Sequence, residues 1–94
     1  MNYTDSLKFS ETELGAQIKV LEEIRQTIKV SNDRYNEFIG ENLVPNWTTE
    51  NGVQSVKRLQ RFSQENIQEI INYLDGRIND LYTALQNVIG INKA

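Results

Sequence analysis

A single stretch near the middle of the chain, Gly40 to Gly52, interrupts an otherwise helical pattern. It holds the only Pro and the only Trp of the 94 residues, and two of the five Gly. A helical pattern that stops at a Gly, with a Pro shortly after it, predicts a helix end followed by a turn. Pro45 is expected to move Val44 out of the helical region. The chain is therefore predicted to be two long helices folded back on each other, with Trp47 at the bend.

The first helix is predicted to span about residues 11–39. Ser10-Glu11-Thr12-Glu13 matches a capping box, and Phe9 and Leu14 stand at the two positions of a hydrophobic staple. Gly40 is the expected cap at its other end. The second helix is predicted at about 49–89, after a bend at 40–48, with Thr48 or Thr49 as its cap and Glu50 in its first turn.

Seven-residue spacings indicate apolar seams like those of coiled coils in both helices. One seam position of the first helix contains Leu14, Leu21, Ile28 and Tyr35. The alternate position contains Ile24, Ser31 and Phe38, and the apolar pattern of this helix also includes Ile18 and Ile39. The second helix has a longer pattern, which includes Val53, Val56, Leu59, Phe62, Ile67, Ile70, Ile71, Leu74, Ile78, Leu81, Leu85 and Val88.

The second predicted helix is longer than the first, so its last turns are expected to extend beyond it and to need another surface. The residues concerned are Leu81, Leu85, Val88 and Ile89. Two helices cannot enclose a core, so residues 1–94 are predicted to form one all-α domain, an antiparallel two-helix hairpin. Dimerisation or a partner is expected to complete it to a four-helix bundle, and the protein alone to be dimeric or poorly stable.

The composition argues against catalysis. The chain has no Cys and no His, which removes the thiolate ligands, the commonest general base and the commonest transition-metal ligand. The carboxylate pairs Glu37/Glu41 and Glu65/Glu69 are predicted to lie on solvent-facing helix surfaces. We therefore predict no enzyme activity, no metal site, no cofactor and no small-molecule substrate.

Charge and hydropathy exclude further classes of partner. The net charge is −3, and neither half of the chain is basic enough to predict nucleic-acid binding. Lys57, Arg58 and Arg61 form a small basic cluster, in which Arg61 is expected to pair with Glu65 four residues on. No apolar run approaches the roughly 20 residues of a membrane span. Residues 1–6 lack the features of a signal peptide, so export would not depend on a cleavable one.

The central stretch resembles the WXG family of small type VII secretion proteins, which are helical hairpins with a Trp at the bend. The matching residues are Asn46-Trp47-Thr48-Thr49-Glu50-Asn51-Gly52. The family signature places Gly two residues after Trp, where this chain has Thr49. Many members also carry a C-terminal aromatic residue followed four residues later by an acid, whereas Tyr82 is followed at that spacing by Gln86.

This resemblance implies a secreted subunit, or a cytoplasmic companion that binds the helical N-terminal region of an LXG-type toxin and helps present it for export. The partner would be a second copy, such a toxin or another WXG-like protein. Trp47 is expected to plug the end of the apolar seam and to form a docking patch with Gly52. The full predicted interface comprises Trp47, Gly52, Leu21, Ile28, Tyr35, Phe38, Ile67, Leu74, Leu81 and Leu85.

Two other classes of protein fit the sequence. A bacteriocin immunity protein is also small, helical and free of Cys, but it usually has four shorter helices. Bends near Ser31-Asn32 and Asp75-Gly76 would favour that class. A helical adaptor is the other alternative, in which Trp47→Ala would lower only stability.

Overall fold

The chain is an all-α helical hairpin, in a computed structural model that describes the backbone of residues 3–93 and the side chains of residues 10–93. Three α-helices and two π-helical segments follow one another, and residues 3–93 contain no β-strand. The elements are α1 (Tyr3–Phe38), a first π segment (Ile39–Leu43), α2 (Glu50–Arg61), a second π segment (Phe62–Ile67) and α3 (Gln68–Lys93).

The helices form two compact units, of which the first combines Met1–Arg25 with Leu74–Ala94. Here α1 and α3 run antiparallel: residues later in α3 contact residues earlier in α1. Arg25 pairs with Asp75, Tyr82 donates to Glu22 at 3.3 Å, and the Asn92 amide donates to Glu11 at 3.0 Å. The charge of Glu22 raises the pKa of Tyr82, and the hydrogen bond to Asp75 raises the pKa of Arg25.

The second unit, Gln26–Tyr73, contains the bend and both π segments. The Tyr35 hydroxyl donates to the Leu59 carbonyl oxygen at 2.9 Å, and the Asn36 amide donates to Ser63 at 2.8 Å. The two arms of this unit are therefore antiparallel as well.

The start of α1 differs from the prediction. The helix begins at Tyr3, so Ser10 lies inside it and does not cap it. Residues 3–10 contain neither Pro nor Gly, so the helix extends through them with one more backbone hydrogen bond for each residue added. The side chain of Phe9, and with it the predicted staple, lies outside the described residues.

This early start removes the predicted overhang. The contact between Glu11 and Asn92 shows that α1 accompanies α3 almost to its end. The four residues expected to need another surface are partly buried within the first unit: Leu81, Leu85, Val88 and Ile89. Gly90 does not stop α3, which continues to Lys93.

The end of the first arm also differs from the prediction. Gly40 lies within the first π segment, and no described glycine has a positive φ, so Gly40 is not a left-handed cap. Val44 keeps helical dihedrals, φ −54° and ψ −49°, although Pro45 follows it. Its N–H donates to the Ile39 oxygen at 3.0 Å, and the Leu43 oxygen accepts from the Asn46 and Trp47 N–H groups at 3.2 and 2.8 Å. This bonding requires helical geometry at Val44 and outweighs the preference that Pro45 imposes.

Of the two seam positions predicted for α1, one is confirmed and the other is wrong. Leu14, Leu21, Ile28 and Tyr35 are partly buried, as their spacing predicts. The alternate position, however, contains Ile18, Arg25, Asn32 and Ile39. Ile18 and Ile39 are buried, whereas the predicted Ile24 and Phe38 are 44% and 57% exposed. Arg25 and Asn32 take seam positions because both have polar partners on the other arm, Asp75 and Ser63.

The second π segment inserts one residue into the seams of the other arm. Buried or partly buried residues recur every seven positions except across this segment, where the spacing is eight. One seam contains Val56, Ser63, Ile71, Ile78, Leu85 and Asn92, and the other contains Gly52, Leu59, Ile67, Leu74, Leu81 and Val88. A π turn accommodates one extra residue in a helix. The insertion therefore keeps both seams on the inner face, and it leaves Phe62 and Ile70 exposed.

Removal of one residue from the second π segment is therefore expected to leave the seams in register. Deletion of the exposed Gln64 should change the free energy of unfolding by no more than about 1 kcal/mol. The control, deletion of the exposed Asn79, rotates the following α3 side chains by roughly 100° out of the seam. It should cost on the order of 3 kcal/mol. Urea unfolding followed by circular dichroism compares the two, and equal losses would contradict the insertion.

Candidate functional site

The start of α2 fixes the position of Trp47. Thr49 is the helix cap, as predicted, with extended dihedrals, and its hydroxyl oxygen accepts from the Gly52 N–H at 3.1 Å. The Thr49 carbonyl oxygen accepts the first helical bond from Val53 at 2.8 Å. On its other side, the Trp47 N–H donates to Leu43. The Trp backbone is therefore fixed between the end of one helical segment and the beginning of the next.

Gly52 leaves little room for a side chain at this cap. A Cβ added to Gly52 would lie 3.0 Å from the Thr49 hydroxyl oxygen, 3.1 Å from the Trp47 Cβ and 3.2 Å from the Trp47 carbonyl carbon. Its φ is not positive, so a side chain would be crowded by these contacts and not strained by the backbone conformation. The cap thus brings Gly52 directly against Trp47, five positions earlier in the chain.

A shallow groove, which we call the bend groove, opens beside the Trp47 side chain. It has a volume of about 190 Å³ and is lined by Val44, Trp47, Val53, Val56, Lys57 and Gln60. Val56 is buried at its base, but Trp47 is 43% exposed and Val44 and Val53 are exposed too. The indole therefore leaves much of its surface open at the bend and does not close the seam completely.

The basic cluster at this groove differs from its prediction. In the described part of the chain, ion pairs join Arg25 to Asp75, Lys29 to Asp33 and Arg77 to Asp80. None involves the cluster of Lys57, Arg58 and Arg61, so the predicted Arg61–Glu65 pair is not formed. Glu65 lies in the second π segment. There the wider turn displaces a residue four positions on from the alignment that an α-helix provides.

A larger apolar groove, the seam groove, lies beside the second π segment. It has a volume of about 320 Å³ and is lined by Thr27, Ile28, Ser31, Asn32, Tyr35, Phe62 and Ile67. Its aromatic side chains, Tyr35 and Phe62, meet edge to face with ring centroids 6.4 Å apart. Three predicted interface residues therefore line one groove: Ile28, Tyr35 and Ile67.

A polar cluster at the second π segment had no counterpart in the prediction. Ser63 is 2% exposed, and its hydroxyl donates to the side-chain amide oxygen of Asn32 at 2.7 Å while accepting from the side-chain amide of Asn36 at 2.8 Å. Nearby, the Tyr35 hydroxyl donates to the Leu59 carbonyl oxygen. The available sequence signal was two Asn one helical turn apart, which is also typical of a solvent-facing surface.

The other predicted interface residues lie apart from the two grooves. Phe38 is exposed, and Gly52 is partly buried against Trp47. Four Leu are partly buried in the first compact unit: Leu21, Leu74, Leu81 and Leu85. The carboxylates Glu37, Glu41, Glu65 and Glu69 are exposed. Within the described residues, no three acidic side chains converge in a way that could hold a metal ion.

Comparisons with protein-family models, curated proteins and solved structures gave no match. None of the described helices combines the length and the apolar character needed to span a bilayer.

Gly→Ala substitutions at two sites of the second arm test the contact between Gly52 and Trp47. Gly52→Ala should destabilise the protein by about 1–2 kcal/mol, because the Cβ presses on Trp47 and the Thr49 cap. Gly76→Ala is the control, since a Cβ there meets nothing within 4 Å. It should stabilise α3 by up to about 1 kcal/mol. Thermal unfolding measures both, and stabilisation by Gly52→Ala would contradict the contact.

The polar cluster is tested in the same way. Ser63→Ala leaves the partly buried Asn32 oxygen without its donor, and it should cost about 1–2 kcal/mol of unfolding free energy. Ser55→Ala, an exposed position in α2, should change it by less than about 0.5 kcal/mol. Chemical denaturation of the two variants compares them, and equal effects would show that the cluster does not contribute to stability.

Proposed function

We propose that this chain is a non-enzymatic, WXG-like type VII secretion protein. It acts as a secreted subunit, or as a companion that binds the helical N-terminal region of an LXG-type toxin. The observation that carries the proposal is the contact between Trp47 and Gly52 at the bend of a helical hairpin. Although Thr49 stands where the family has Gly, the start of α2 brings Gly52 back against the Trp.

The distribution of apolar surface supports a protein partner. Five apolar side chains are buried among those described: Ile18, Ile39, Val56, Ile71 and Ile78. Large apolar side chains are exposed in the second unit, among them Phe38, Phe62 and Ile70. The seam groove adds an open apolar surface beside a π segment, a feature frequent at functional sites. A second pair of helices on this surface would complete a four-helix bundle.

The alternatives have less support. Bends near Ser31-Asn32 and Asp75-Gly76 would favour an immunity protein, but α1 and α3 run unbroken through these positions. The adaptor alternative does not explain why the Trp47 indole is exposed between two hydrogen-bonded stretches of backbone. Trp is also enriched among the residues that dominate protein interfaces.

Export from the native host tests the proposal. The protein is immunoblotted in cells and culture supernatant, with and without the type VII secretion ATPase, together with a cytosolic marker for lysis. A supernatant signal that depends on the ATPase is expected for a secreted subunit. For a companion, deletion of the chain should reduce the export of its toxin. The proposal is wrong if the chain is not exported through the ATPase and if deletion of the chain also leaves toxin export unchanged.

Trp47→Ala should reduce the ATPase-dependent export by about tenfold or more while the circular dichroism spectrum stays helical. The reason is that truncating a central Trp anchor commonly removes 2 kcal/mol or more of binding. Tyr73→Ala is the control, because Tyr73 is another highly exposed aromatic residue of the second unit. Export of this control should be unchanged. Unreduced export of Trp47→Ala would favour the adaptor, in which Trp47 serves stability alone.

A further inference from the structure

We infer that the bend groove binds an acidic amphipathic helix of a partner protein. An apolar side chain of that helix lies against Trp47 and Val53, and two carboxylates one turn apart pair with Lys57 and Arg61. The inference rests on the proposed function only in taking the bend as a protein-binding surface. It adds the chemical class of the bound segment.

The apolar part of the site is an open pocket with a rigid wall. Val44, Trp47 and Val53 leave 48%, 43% and 38% of their surfaces exposed around a groove that narrows onto the buried Val56. The Trp47 backbone is held by its bond to Leu43 and by the contact with Gly52. A single apolar side chain fits a groove of about 190 Å³, and an indole of this kind is a typical binding anchor.

The positively charged residues of the site favour a partner segment of negative charge. Lys57 lines the groove, and Arg61 follows one helical turn later, roughly 6 Å along the axis. Both are exposed, and the described residues provide no ion-pair partner for either. Glu65, four residues after Arg61, is displaced by the second π segment, and Glu50, in the first turn of α2, forms no ion pair with Lys57. Carboxylates at positions i and i+4 of an incoming helix match this spacing.

The same charges disfavour a second copy of this chain as the occupant. A symmetric dimer places the same patch of both molecules in contact. At the bend groove this arrangement would bring two clusters of Lys57, Arg58 and Arg61 together, and like charges in an interface weaken it. The seam groove lacks this restriction, because its lining contains no charged residue. A partner of opposite charge therefore fits the bend groove better than self-association.

The unmodified protein provides its own probe, since Trp47 is the only Trp. It is titrated with a synthetic amphipathic peptide that has Leu at positions i, i+3, i+4 and i+7 and, along one edge of this apolar face, two Glu four residues apart. A matched peptide carries Lys in place of Glu. The Glu peptide should shift Trp47 emission to the blue with saturation, and high salt should weaken it. Equal shifts with both peptides, or none with the Glu peptide, would overturn the inference.

Charge reversal separates the site from general electrostatics. The double variant Lys57→Glu/Arg61→Glu should weaken binding of the Glu peptide by about tenfold or more. Lys19→Glu/Arg34→Glu changes the net charge equally at exposed positions outside the groove, and it should weaken binding less than threefold. Equal weakening in the two double variants would refute a specific site. So would a blue shift that appears with protein concentration alone, because a second copy would then occupy the groove.

The two proposals fail in different ways. Peptide selectivity at the bend groove without ATPase-dependent export would retain the acidic-helix site and reject the secretion role. Export with no peptide selectivity would retain the secretion role and reject the site.

Discussion

The hydrogen bonds of Ser63 set the register on which the rest of the second unit depends. The buried Ser63 hydroxyl donates to Asn32 and accepts from Asn36. Both hydrogen bonds form in only one alignment of the two arms. A slip of one residue would leave these groups without partners in a seam that is otherwise mostly apolar, and that cost is a substantial part of the stability of a small domain. The adjoining π segment accommodates one extra residue, so that Ile67 and Ile71 still lie on the inner face after Ser63.

This polar register has a consequence for the outer surface. Because the inner flank of α1 contains Arg25, Asn32 and Ile39, the residues beside this flank, including the apolar Ile24 and Phe38, remain exposed. The same holds on the other arm, where the inserted residue leaves Phe62 outside. The hairpin therefore gives up part of its own core and displays that apolar area instead. Exposed apolar surface often marks a protein-interaction site, which supports the proposal that another protein completes the hairpin.

The bend combines rigidity with exposure. Its backbone bonds converge on Leu43 on one side of Trp47 and on Thr49 on the other, so the indole projects from a hydrogen-bonded stretch of chain. A prepositioned aromatic side chain loses little conformational freedom on binding, which favours affinity. The lining of the bend groove includes the cation of Lys57, whereas the lining of the seam groove contains no charged residue. The two grooves of this unit therefore differ in the chemistry that they can recognise.

The sequence by itself determined the hairpin, the Thr49 cap and one seam position of α1, from Leu14 to Tyr35. These features follow from local signals: a lone Pro among long helical patterns, a Thr before a helix, and a strict seven-residue repeat. Only the tertiary structure decided which flank of α1 turns inward, where α1 begins, and that one residue is inserted at Phe62–Ile67. Each of these depends on a partner distant in the chain, such as Asp75 for Arg25, Asn92 for Glu11 and Ser63 for Asn32. A periodic pattern shows only how apolar each position is. A polar side chain stabilises an inner position only when folding has placed its hydrogen-bonding partner beside it.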